Sequence, residues 1–275
     1  MCENSNLTVL MSLYYKETAS NVRECFDSLL NQTVRANEWV VVEDGPLTDE
    51  LYQVLDEYQR KYPGLINRVP LSENRGLGLA LREGVMHCSN ELIARMDTDD
   101  ICTAERFEEE LKLFGENPKL DICGSYIKEF DGTIDNVISE RVVPTKHEDI
   151  VKYQRKRSAF NHMTVMFKKS AVLKSGNYEH APLMEDDMLW TRMILAKCQM
   201  ANIPKFLVYA RTGLNMIGRR GGYAYFKKYR SSRKKVYDLG FISYWDYLVT
   251  IFIQFFVALV PAKIRIMIFT NVLRK

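Results

Sequence analysis

Asp97, Asp99 and Asp100 fall within four positions, in the run Asp97-Thr98-Asp99-Asp100 that follows the apolar stretch at residues 92–96 (LIARM). Asp44 stands in the same relation to another apolar stretch, residues 39–42 (WVVV), and opens Asp44-Gly45-Pro46. Carboxylates so close raise one another's pKa unless a cation offsets them. Asp97 and Asp99, two residues apart, can both face one point if the chain turns there. Hard oxygens with no His or Cys cluster nearby suit Mg²⁺ or Mn²⁺, which usually keep waters and bridge to phosphates. The plainer alternative for DTDD is a solvated turn, and for Asp44 a turn-forming Asp before Gly. Position after two apolar strands favours the metal–phosphate reading.

The elements that must position these acids alternate. Residues 7–13, 39–42, 65–71 and 92–96 read as strands, and residues 165–167 and 206–210 as two more. Between them, Val22, Cys25, Phe26, Leu29 and Leu30 have helical spacing, as do Leu51, Val54, Leu55 and Tyr58. Asn74-Arg75-Gly76 opens a helix to about Cys88, and residues 105–114 and 187–198 give two further helices. Strand–helix alternation implies an α/β fold, a mostly parallel sheet with helices on both faces. Ligands of such sheets bind beyond the carboxyl ends of the strands. Residues 12–17, Asp44 and the DTDD run therefore converge.

Composition bounds the rest. The chain has 275 residues, 47% apolar and 27% charged, which excludes wholesale disorder. Its six cysteines form no CxxC pair and no zinc spacing, so buried thiols are expected. Residues 1–6 show no basic region or long apolar stretch, which argues against a secretory signal and for the cytoplasm. The net charge of +3 hides an asymmetry: residues 219–275 carry twelve Lys and Arg against only Asp238 and Asp246. Residues 247–260 (YLVTIFIQFFVALV) are apolar but too short to span a bilayer as a helix, which takes roughly 20 residues. A basic, aromatic and apolar tail suits helices lying on an anionic membrane surface, with packing on the body as the alternative. No nucleic-acid-binding motif is present.

Six segments, in order along the chain, then carry a resemblance: VLMSLYYKE, SLLNQT, WVVVEDGP, NRGLGLALREG, ARMDTDDI and MEDDMLWTRM. Over about residues 7–215 the chain resembles the family-2 glycosyltransferases, inverting enzymes of the GT-A fold that use nucleotide-diphosphate sugars. NHMTVMFKKSAVLKSGNY and the later RRGG are similar to the bacterial capsule and exopolysaccharide group of amylovoran type. The resemblance implies a Rossmann-like central sheet flanked by helices in a catalytic domain of residues 1–213. Residues 214–275 then form an amphipathic helical, membrane-associating region. It implies a UDP-sugar as the favoured donor and Mn²⁺ or Mg²⁺ as cofactor. The acceptor would be a hydroxyl of a lipid-linked saccharide in surface-polysaccharide synthesis, at the inner face of the cell membrane.

Residue by residue, the resemblance puts Ser12, Tyr14 and Glu17 at the base and ribose, and Asp44 at uracil N3. Arg75 would lie near the diphosphate. Asp97 and Asp99 would form the metal site, one binding the metal directly and the other meeting ribose or metal-bound water, with Asp100 in support. Asp186 would be the base that deprotonates the acceptor hydroxyl. Asp187 stands where many relatives carry an aromatic, so it remains the alternative base. Both also suit the first turn of a helix. Glu185 would contact the acceptor. Trp190 reads as acceptor-site wall or core, His162 as acceptor pocket or hydrogen-bonded core, and Arg192 as partner to a site acid. Arg219 and Arg220 would close over the diphosphate or face the membrane. Many relatives carry a metal-binding His after the last strand, where this chain has Arg211-Thr212-Gly213.

Three rivals compete. A dinucleotide oxidoreductase would use Gly76-Leu77-Gly78, but GLGLALREG does not complete GxGxxG and does not follow the first strand. A nucleotidyltransferase would usually need a Gly-rich phosphate loop and a Lys at the first strand, and SLYYKE offers no Gly. A non-enzymatic membrane scaffold would have no use for both acidic clusters.

Overall fold

The computed structural model describes residues 3–212 and 221–261. Arg219, Arg220, Gly213 and the last apolar stretch lie outside the described residues. The chain alternates β1 (Glu3–Leu13), α1 (Ala19–Leu30), β2 (Val34–Glu43), α2 (Asp49–Lys61), β3 (Ile66–Pro70), α3 (Leu77–His87) and β4 (Leu92–Arg95). There follow β5 (Ile101–Cys102), α4 (Arg106–Glu116), β6 (Leu120–Phe130), β7 (Val137–Arg141), α5 (His147–Gln154), β8 (Met166–Lys168) and α6 (Lys169–Lys174). The described chain ends with α7 (Glu185–Leu195), β9 (Gln199–Arg211), α8 (Tyr223–Asp238) and α9 (Tyr244–Leu259).

The strands form one sheet in the order β3-β2-β1-β4-β8-β6-β9-β5, with β7 paired to β6. The first four strands are parallel; β8 runs antiparallel between β4 and β6, and β9 returns parallel to β6. β1 is covered on both faces, which explains why apolar residues on it point both ways, with Val9 beside Leu10 and Met11. Leu7, Val9, Met11 and Leu13 face one core with Val22, Phe26 and Leu55, while Leu10 faces the other with Leu81, Val85 and Trp190. Thr18 and Thr48 cap α1 and α2, their side chains accepting from the Asn21 and Leu51 N–H groups and satisfying orphan helix donors.

The tail does two things. Val236 and Ile242 pack with Ala181, Met184 and Met188 next to the start of α7, and Arg155 pairs with Asp246 at 2.6 Å. The inner side of the α8–α9 hairpin is therefore bound to the body. The basic cluster is not wholly surface charge, as the sequence suggested: Arg233 is buried, its Nε donating to Thr250 Oγ1 at 3.1 Å and its guanidinium to the Arg155 carbonyl. Lys234 pairs with Asp238. The outer side of α9 leaves Trp245, Phe252, Ile253 and Phe256 more than half exposed. Among the described residues no helix is long and apolar enough to cross a membrane.

Candidate active site

A cleft of about 380 Å³ opens beyond the carboxyl ends of β1, β2 and β4, lined by Ser12, Tyr14, Glu17, Asp44, Gly76, Asp97 and Asp99, among others. Pairing of β1 with β2 and β4 sets Ser12 opposite Val42 and Leu10 opposite Arg95. Residues far apart in the chain thus reach one point. The volume falls within the range of small-ligand pockets.

Asp44 is almost fully buried at the cleft wall. Its Oδ1 accepts from the Arg75 N–H at 2.7 Å and its Oδ2 from the Gly76 N–H at 3.0 Å. Asp44 thus fixes the loop that starts α3, and each oxygen retains a second lone pair for a ligand. Gly45 makes the approach possible: at φ +85°, a Cβ there would stand 2.6 Å from the Asn74 nitrogen. The Arg75 side chain is exposed and is not part of the cleft lining; the residue contributes its backbone N–H to Asp44.

One carboxylate oxygen from each of Asp97, Asp99 and Asp100 lies within 4.8 Å of the others. Asp97 is gripped by the Arg95 guanidinium, with Nη1 to Oδ2 at 2.7 Å and Nη2 to Oδ1. Among the described residues Asp99 forms no such ion pair. Burial, then Asp97 and Glu17, pushes its pKa up to about 7. Burial and the neighbouring Asp99 and Asp97 also push Asp100 well up, although its Oδ1 accepts from the Arg211 N–H at 2.8 Å. Arg211 further donates from Nε to the Asp99 carbonyl at 3.0 Å. It braces the turn as a cation and cannot replace a metal-binding His.

Glu185, Asp186 and Asp187 form the first turn of α7. Leu183, just before, has φ +70°, a left-handed conformation costly for a side chain with a Cβ and often held at functional sites. A Cβ on Gly78 would stand 2.6 Å from the Glu179 carbonyl and 2.9 Å from Glu185 Cβ. The start of α3, which walls the cleft, is therefore pressed against the start of α7. Burial, then Asp187 and Glu185, pushes Asp186 up to about 8. Burial raises Asp187 as well, opposed by Gln154, whose Nε2 donates to its Oδ1 at 2.7 Å. Burial raises Glu185, with Arg95 opposing and Asp187 and Asp97 adding to the rise. Glu185 is thus in the electrostatic field of the DTDD turn.

Other expectations resolve differently. Trp190 is fully buried core rather than cleft wall. His162 is hydrogen-bonded core: its Nε2 lies 2.9 Å from Tyr178 Oη, and burial and then Arg95 hold its pKa well below the usual value. Arg192 pairs with Glu179 at 3.3 Å and donates to the Asn177 carbonyl, so it serves the loop before α7 and not a site acid. Arg95 and Tyr178 escaped sequence reasoning. An Arg inside the apolar LIARM strand was the available signal for the first.

Residues 8–174 match the family model Glycosyl transferase family 2. The amylovoran biosynthesis glycosyltransferase AmsE of Erwinia amylovora is 39% identical over 80% of this chain and 81% of its own length. The UDP-Gal:alpha-D-GlcNAc-diphosphoundecaprenol beta-1,3-galactosyltransferase of Escherichia coli is 33% identical over 99% of this chain and 98% of its own. Among solved structures, S. aureus TarS in complex with UDP-GlcNAc superposes with a TM-score of 0.62 at 18% identity. It covers 82% of this chain and 65% of that one, a likeness of fold.

Proposed function

This chain belongs to glycosyl transferase family 2 and has the GT-A fold, and from that premise we propose that it moves a sugar from UDP to a hydroxyl of a lipid-linked saccharide, with inversion, in surface-polysaccharide synthesis. The observation that carries the proposal is the meeting of the cleft with the start of α7. Ser12, Tyr14, Glu17, Asp44, Asp97 and Asp99 line one cavity, and Gly78, at the start of α3 beside that cavity, packs against Glu185, the neighbour of Asp186 in the first turn of α7. The E. coli relative's name gives a UDP-sugar donor and a diphosphoundecaprenol-linked acceptor.

The acids at the cleft floor fit a hard divalent cation. Three oxygens converge within 4.8 Å, and burial with repulsion from Asp97 and Glu17 pushes the pKa of Asp99 up to about 7. Asp97 and Asp99 would hold Mn²⁺ or Mg²⁺, with Asp100 behind them. When bound, the ion supplies positive charge against the leaving diphosphate. The chain's own residues do the rest. Ser12, Tyr14 and Glu17 hold the base and ribose, and Asp44 takes the uracil N3–H. Asp186 accepts the proton of the acceptor hydroxyl as that oxygen attacks the anomeric carbon opposite the diphosphate. A single displacement of this kind inverts the configuration. Gln154 ties Asp187 to α5, which favours Asp186 as the base and gives Asp187 a supporting role. Glu185 contacts the acceptor.

Residues 1–213 carry this chemistry, and residues 214–275 hold the enzyme at the inner face of the membrane where a lipid-linked acceptor lies. The test is transfer from a panel of radiolabelled UDP-sugars to short-chain diphospho-lipid saccharides. Lipid-soluble product with the parent chain and none with Asp186→Asn supports the reading. Equal product with both variants of the pair Asp186→Asn and Asp187→Asn overturns the mechanism.

A further inference from the structure

The α8–α9 hairpin carries an apolar face with no protein cover among the described residues. Trp245 is 74% exposed, Phe252 65%, Ile253 56% and Phe256 52%. At 100° per residue, Trp245, Val249, Phe252 and Phe256 fall in one stripe. Asp246, Tyr247 and Thr250 occupy the opposite side, where they meet Arg155 and Arg233. A cavity of about 650 Å³ runs along the stripe, lined by Phe226, Trp245, Leu248, Phe252 and Phe255, among others. A second groove, along α8, is basic, lined by Lys227, Arg230, Lys234 and Lys235 with Asp238 and Tyr247. An exposed apolar patch of this kind marks an interaction site.

We propose that this hairpin docks on an anionic lipid bilayer, α9 entering the headgroup–acyl boundary with Trp245, Phe252, Ile253 and Phe256 while Lys227, Arg230 and Lys235 of α8 contact the lipid phosphates. Charge selects this occupant. Residues 219–275 hold twelve Lys and Arg against Asp238 and Asp246, a complement to acidic headgroups and a source of repulsion to a second copy of the same surface. Geometry excludes spanning, because α9 has 16 residues. A short helix with one apolar face and basic neighbours lies in the interface plane.

Docking also orients the site. Asp246 pairs with Arg155, Arg233 donates to the Arg155 carbonyl, and the adjacent Gln154 holds Asp187 at the start of α7. Three contacts thus tie the hairpin to the first turn of α7. This inference rests on the membrane-side placement proposed above, and its test reads lipid binding without sugar transfer, so it fails separately from the proposed transfer chemistry.

The experiment uses the full chain, freed of detergent, floated with phosphatidylcholine vesicles with and without phosphatidylglycerol. Of the three tryptophans, Trp39 and Trp190 are buried and Trp245 is exposed, so a blue shift in emission reports α9 entering lipid. Expected are flotation and a blue shift with phosphatidylglycerol only, weakened by salt. Lys227→Glu and Arg230→Glu each reduce partitioning by about fivefold or more. Phe252→Glu with Phe256→Glu abolishes the blue shift while the circular dichroism spectrum stays that of the parent. Equal flotation of all variants overturns the inference, as does failure of the parent to float. So does dissociation of a lipid-free dimer by Phe252→Glu, which would make the face a self-association surface. A red shift of Trp245 on deleting residues 262–275, without lipid, would show that the chain covers its own stripe and would overturn it as well.

Discussion

On the proposed mechanism, Asp186 is the residue that takes the acceptor's proton. It sits half-buried at the first turn of α7, and burial with Asp187 and Glu185 beside it pushes it up to about 8. A base must be ionised to take a proton, so kcat/KM should rise with pH through a step near 8 and fall away below it. A pH–rate profile checks this, and a step near 4 would contradict it. Asp186→Asn should lower kcat by about 10²–10⁴, while UDP binding measured by calorimetry stays at the parental level. The same burial makes the residue a liability for stability. Its folded pKa stands above an unfolded value of about 3.9. Stabilisation by the protonated form is therefore complete below that value and is lost as pH rises toward 8. Asp186→Asn removes the loss, so its melting temperature at pH 8 should exceed the parent's in a thermal scan. Ser12, Tyr14, Glu17, Asp44, Asp97 and Asp99 were legible as a group because each follows an apolar strand, and a parallel sheet gathers such positions. Arg95 was not, because nothing local says that an Arg in an apolar strand will turn back onto an acid two residues on.

Between elements, the contact that matters is the start of α3 against the start of α7. Gly78→Ala tests it. Alanine gains up to about 1 kcal/mol in helix propensity. Here the new Cβ meets the Glu179 carbonyl at 2.6 Å, a backbone atom that cannot swing aside. Overpacking of about 1–3 kcal/mol should outweigh the gain and shift Glu185 and Asp186 outward. Expected are a net destabilisation in urea melts and a fall in kcat larger than any change in donor KM. The four parallel strands β1 to β4 and the helices between them were readable from alternation alone. The second half was less so. β6 (LDICGSYIKEF) is the spine of that half, pairing with β7, β8 and β9. Yet Gly124, Ser125 and Glu129 interrupt its apolar pattern, and Glu129 is buried because Ser139 on β7 satisfies it. Only the tertiary partner explains the residue. The tail shows the same limit: Arg233 reads as surface charge, and its burial depends on Thr250 and the Arg155 carbonyl.

Across the molecule, an acidic cleft and a basic hairpin divide the charge of the chain. The sheet gathers the cleft residues beyond the carboxyl ends of β1, β2 and β4, and the hairpin is bound to the body through Arg155 and Asp246. Donor binding should therefore stabilise the whole fold by mass action: UDP with Mn²⁺ should raise the melting temperature, and UDP with EDTA should leave it unchanged. The measurement that bears most directly on the cleft as a metal-dependent UDP site is calorimetric titration of UDP into the parent chain and into Asp99→Ala, each with Mn²⁺ and with EDTA. Heat of binding is expected only for the parent with Mn²⁺. Equal binding in EDTA and in Asp99→Ala, or no nucleotide binding in any of the four titrations, would contradict it.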